Sequence, residues 1–165
     1  MNLRRRAPLV ASATFVLSCL GAAPLAAQDV EGQGGGDGAW LTGGIGKGSE
    51  GVAAVAGVNV ASVPHIVSFR TATTGPVLDG GETFWDAGIL YGRALRWPEG
   101  LAAASAGVGV MGGRRTDDHL SVPVAARVSW HLTSWLGFGA YGFVNINQEQ
   151  PFGGVTLSVE MGLLR

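Results

Sequence analysis

The sequence predicts an all-β fold: an eight-stranded antiparallel up-and-down transmembrane β-barrel with a side-chain-filled interior. Three observations predict it. Apolar residues alternate with a period of two along most of the chain, and no convincing stretch carries them at helical spacing. Charged residues make up 14% of the 165 residues, well below the roughly 25% usual for a soluble domain. Most of these charges fall outside the alternating segments, whose polar face is mainly Gly, Ser and Thr. The 28 glycines follow no G-X-Y period, which excludes collagen. The 47% apolar content excludes global disorder. A net charge of −1 gives no support to nucleic-acid binding.

In chain order, the first element is a targeting segment. Arg4, Arg5 and Arg6 precede an apolar run from Ala7 to Leu20, and small residues follow at Gly21, Ala22, Ala23, Ala26 and Ala27. These are the three regions of a secretory signal, residues 1–27, cleaved before Gln28. The run is short for a transmembrane helix. A lipoprotein signal anchored at Cys19 is the competing reading, because Val16-Leu17-Ser18-Cys19 resembles a lipobox; the apolar Leu20 and the better processing zone downstream speak against it. Cleavage leaves 138 residues carrying 8 basic and 12 acidic side chains and no cysteine. Stability of an exported chain of this size must then come from burial and a closed hydrogen-bond network rather than from disulfides. Residues 28–38 (QDVEGQGGGDG) read as a flexible Gly-rich leader, and residues 39–165 as the barrel domain.

Turn signals divide the remainder into strands at about 39–47, 52–62, 65–74, 82–97, 101–112, 120–133, 136–147 and 153–164. The sixth sets Leu120, Val122, Val124, Ala126, Val128, Trp130 and Leu132 against Ser121, Pro123, Ala125, Arg127, Ser129 and His131. The last sets Val155, Leu157, Val159, Met161 and Leu163 against Thr156, Ser158 and Glu160. The fourth sets Trp85, Ala87, Ile89, Tyr91, Leu95 and Trp97 against Phe84, Asp86, Gly88, Leu90 and Arg96. The fifth sets Ala104, Ala106, Val108 and Val110 against Ser105, Gly107 and Gly109. Connections at Val63-Pro64, Pro98-Glu99-Gly100 and Ser134-Trp135 are tight, whereas Gly75–Gly81 and Gly113–His119 are longer and polar. Short turns at one end and longer loops at the other are the habit of a membrane barrel, with the short turns periplasmic.

A soluble periplasmic ligand-binding barrel also alternates, but its exterior carries many charges. Here the polar face is small and uncharged for the most part, which suits the narrow interior of eight strands. Trp40, Trp97 and Trp135 fall at the turn-side strand ends, where tryptophan anchors a barrel at the membrane interface. The alternating strands, the signal and the size resemble small outer-membrane barrels of the OmpA/OmpX-like kind. Asp86-Ala87-Gly88-Ile89-Leu90-Tyr91-Gly92, Leu136–Phe143 (LGFGAYGF) and the ending Met161-Gly162-Leu163-Leu164-Arg165 carry the resemblance. It implies a Gram-negative outer membrane, lipids and the barrel-assembly machinery as partners, and a monomer. One departure is the last residue: such barrels usually end in an aromatic residue, and this sequence ends in Arg165.

No catalytic, cofactor-binding or metal-binding residues are assigned. Gly46-Lys47-Gly48-Ser49-Glu50-Gly51 matches G-x-G-x-x-G, but a strand follows where a dinucleotide site needs a helix, so it reads as a hairpin. The three histidines lack metal-ligand spacing, and Thr116-Asp117-Asp118-His119 reads as a solvated loop. Ser129, His131 and Glu160 suggest a hydrolase set. Some eight-stranded barrels deacylate lipid A, which keeps a lipid-modifying enzyme as the alternative, although Ser129 and His131 are expected to face the lumen. Arg70, Asp86, Arg96, Arg127, His131 and Glu160 are expected to form a lumenal polar plug, because an enclosed charge must be paired. Glu160 is expected to pair with Arg127 or His131. Arg93 is a misfit on the lipid face, close enough to Trp97 to snorkel.

Overall fold

The computed structural model describes residues 37–76, 82–113, 118–148 and 150–164. The signal segment with Cys19, the leader up to residue 36, residues 77–81 and 114–117, residue 149 and Arg165 lie outside the described residues.

Eight strands follow one another: β1 (Asp37–Gly48), β2 (Gly51–Ser62), β3 (His65–Gly75), β4 (Phe84–Trp97), β5 (Gly100–Gly113), β6 (His119–His131), β7 (Leu136–Ile146) and β8 (Phe152–Leu163). Each boundary lies within two residues of the span expected from the turn signals. Every strand pairs antiparallel with its neighbours in sequence, and β1 pairs with β8, which closes the barrel. Closure leaves no free edge, so every strand finds its ladder partners within the chain. Tight connections at Val63–Pro64, Pro98–Glu99 and residues 132–135 share one end, with the start of β1 and the end of β8. The other end carries the longer connections, together with the tight Ser49–Glu50 turn.

The period of two is realised as an apolar outward face and an inward face that mixes polar and apolar side chains. Along β8, Val155, Leu157, Val159, Met161 and Leu163 are exposed while Thr156, Ser158 and Glu160 are buried. In β4, Trp85, Ile89 and Tyr91 point outward and Phe84, Asp86 and Leu90 inward. The lumen is full. Toward the loop end Ala53, Val55, Phe84, Met111, Phe143 and Phe152 pack together; toward the turn end Trp40, Ala61, Ile66, Ala94, Leu101 and Leu164 do so.

So narrow a barrel needs sharp wall curvature, and glycine supplies it where strands approach most closely. A Cβ on Gly107 of β5 would lie 1.8 Å from the Ile89 carbonyl oxygen of β4. Gly162 takes a φ of +144°, open to glycine without a Cβ penalty. Beyond it Leu164 is buried under the turn end, its N–H donating to the Ser134 carbonyl at 3.1 Å.

Trp40 requires a correction. It stands at the turn-side end of β1 as expected, but its side chain enters the lumen and is 3% exposed. Parity decides this: Leu41 and Ile45 face outward on β1, so Trp40 and Thr42 must face inward.

Candidate functional site: the lumenal network and the outer wall

Two polar groups cross the lumen. The larger is built on Arg127, which projects inward from β6. Its Nη2 donates to Asn59 Oδ1 on β2 (2.5 Å), and weaker contacts of 3.4 Å reach Ser68 Oγ and Thr42 Oγ1. Asn59 ties these groups together: Nδ2 donates to Thr42 Oγ1 at 2.9 Å and to the Trp40 carbonyl at 3.3 Å, and Oδ1 accepts from Ser68 Oγ at 2.8 Å. The guanidinium lies over the rings of Tyr141 and Trp40, at 5.0 and 5.7 Å. Glu160 on β8 supplies the opposite charge, with Oε1 3.8 Å from Arg127 Nη1. At that separation the pair is held by charge. Ser129 and Trp40 flank the carboxylate. The register places Thr42 directly opposite Glu160, so one polar level spans β8, β1, β2 and β6.

The second group lies toward the loop end. Arg70 on β3 pairs with Asp86 on β4, and its guanidinium sits 5.2 Å from the Phe143 ring centroid. Asn145 on β7 donates to Asp86 Oδ2 at 2.8 Å and to Ser121 Oγ at 3.0 Å. Arg70, Asp86, Asn145 and Glu160 are all at most 1% exposed. Charges enclosed this fully must be paired, and Arg70 with Asp86 and Arg127 with Glu160 supply the pairs. These bridges brace the wall: β6 to β2 through Arg127 and Asn59, and β7 to β4 through Asn145 and Asp86.

Arg96 and His131 lie nearer the turn end. Each is half-buried, and Arg96 is the charged neighbour of His131. Thus Arg127, not His131, faces Glu160. Asn59, Ser68, Thr42, Asn145 and Ser121 were missed from the sequence as parts of the network. A signal for Asn59 was present, since it alternates with the outward Val58 and Val60.

Ser129, His131 and Glu160 are not assembled as a hydrolase set. Ser129 is 1% exposed and its hydroxyl donates to the Leu101 carbonyl at 3.4 Å. Among the described residues no hydrogen bond joins it to His131, and no group of three or more His, Cys, Asp or Glu side chains is arranged to hold a metal ion.

The outer wall is apolar. At the turn end Trp135 is exposed and Trp97 half-exposed. Trp130 joins them, stacked on Phe138 with ring centroids 6.0 Å apart; its position on the outward face was legible, its place in an aromatic rim was not. Trp85 stands at the loop end of β4.

No protein-family model matches the chain, and no curated sequence does. Solved structures do. A de novo designed transmembrane β-barrel superposes with a TM-score of 0.54 at 12% identity, over 81% of this chain and all of that one. Neisserial surface protein A (NspA) gives 0.51 at 12% identity, over 76% of this chain and 96% of the other. At such identity the likeness is one of fold, which in this chain is a closed antiparallel barrel of eight strands.

Proposed function

We propose that this protein is a small, monomeric, non-enzymatic β-barrel of the outer membrane, delivered there by its signal segment and the barrel-assembly machinery. Its filled interior stabilises the wall, and its role is structural or the display of short loops at the cell surface. The observation that carries this reading is the inverted partition of polarity. Charged Arg70, Asp86, Arg127 and Glu160 are inside, whereas Leu41, Ile45, Val60, Phe69, Val108 and Leu157 stand exposed outside. A soluble monomer rarely exposes contiguous apolar surface beyond a few hundred Å², and this wall runs around the whole barrel. Its height fits a bilayer. The five outward residues of β8 span eight residue steps, about 27 Å along the strand at ~3.4 Å per step. A tilt of ~40° reduces that to about 21 Å, close to the ~25 Å apolar band of outer-membrane barrels.

Cell fractionation with gel mobility tests the reading. The protein is expected in the outer-membrane fraction, migrating differently in detergent before and after heating, because the closed ladder resists detergent until heated. Recovery from the soluble periplasm, with identical mobility in both states, contradicts it.

A further inference from the structure

The outer wall carries a cation among its apolar residues. Arg93 is exposed on the outward face of β4, between Tyr91 and Leu95. Among the described residues no carboxylate pairs with it. The β3–β4 register sets it directly opposite His65, the first residue of β3 after the turn-end connection. Cβ atoms so placed lie about 4.5–5.5 Å apart, so both side chains can reach one small ligand. His65 is held in turn by Tyr91: the rings stack with centroids 5.9 Å apart, and Nδ1 lies 2.6 Å from the phenol oxygen. In the tautomer in which the phenol donates to Nδ1, the imidazole proton sits on Nε2. A guanidinium fork and an imidazole oriented by Tyr91 therefore share one spot on the outer face, at the turn-end edge of the apolar wall.

We infer that Arg93 and His65, oriented by Tyr91, clamp the phosphodiester of an anionic phospholipid in the leaflet at the turn end. This rests on the membrane reading above. The guanidinium matches phosphate oxygens in a bidentate manner, and its stem can lie along apolar surface while the head reaches the interface. A lipid fits better than free phosphate because Val67, Phe69 and Ile89 are exposed just above the clamp. They offer a track for the acyl chains that inorganic phosphate would not use.

Native mass spectrometry of the purified protein tests this, with release from non-ionic detergent containing equal phosphatidylglycerol and phosphatidylcholine. The wild type retains phosphatidylglycerol preferentially. Arg93→Gln lowers that preference about fivefold, the factor that roughly one interfacial cation contributes. His65→Gln and Tyr91→Phe, which keep the cation, lower it by about half, and all variants keep their heat-dependent mobility. Lys47, exposed on β1 toward the loop end, is unchanged throughout and supplies a constant background. Should Arg93→Gln not fold, His65→Gln carries the test, with the halved preference as the expected result and an unchanged one as the contradiction. Excess inorganic phosphate leaves the adduct in place. An unchanged preference in the folded variants, or displacement of the lipid by inorganic phosphate, overturns the clamp alone. Failure of the wild type to enter phosphatidylcholine vesicles overturns the membrane reading and the clamp with it.

Discussion

Arg127 is the side chain on which the lumen is most dependent. It is 5% exposed, reaches Asn59, Ser68 and Thr42, rests on two aromatic rings and faces Glu160. Removing one member of a buried pair leaves an uncompensated charge and costs about 3–5 kcal/mol, whereas replacing both with apolar or neutral groups costs much less. In a double-mutant cycle on unfolding in detergent, Glu160→Gln and Arg127→Met are each expected to destabilise strongly, and the pair less than their sum. His131→Leu combined with Glu160→Gln should be additive, since Arg127, not His131, faces Glu160. Additive losses in the Arg127 cycle would remove that residue's role. Asp86→Ala should cost more than Asn145→Ala in the same measurement, because Asp86 anchors both Arg70 and Asn145. The inward direction of Glu160 was legible from Val159 and Met161 on either side of it. Its partner was narrowed to Arg127 or His131 and no further, since register and shear, not strand parity, decide which inward side chains stand level across a barrel; the structure selects Arg127. Trp40 shows the opposite hazard: position at a strand end suggested the interface, and the parity of Leu41 and Ile45 overrode it.

At the scale of the strands, alternation and turn residues were enough to place all eight, because each strand has one buried face and a one-residue slip would reverse it. Curvature was less legible. Gly107 and Gly43 are both strand glycines in the sequence, yet only the first lies where a Cβ meets the neighbouring backbone; at Gly43 nothing lies within 4 Å. Gly107→Val should therefore destabilise by more than about 3 kcal/mol, at or beyond the upper range of overpacking, and Gly43→Val by less than about 0.5 kcal/mol, as an outward site away from strain. Thermal or urea unfolding in detergent reads both, and equal effects would contradict the close approach. The connections differ in the same way. A loop tip tolerates insertion better than a tight turn, so an epitope inserted near Asp117 should be accepted and bound by antibody on intact cells. Binding only after the outer membrane is opened would invert the topology, with the tight turns outside.

For the whole molecule, the central feature is a barrel that encloses its paired charges among apolar side chains and presents an apolar wall outside. The chain after Ala27 has no cysteine, so single cysteines can be introduced and spin-labelled one at a time. Val155, Leu157, Val159, Met161 and Leu163 all face outward on β8 and are exposed, so labels there leave the lumen intact. In lipid vesicles, collision rates with oxygen, which concentrates in hydrocarbon, should exceed those with a water-soluble nickel reagent at these positions. The ratio should peak around Leu157 and Val159 and fall toward both ends of the strand. Comparable or higher nickel collisions at all five positions would mean that the wall faces water, and would contradict a membrane-spanning barrel.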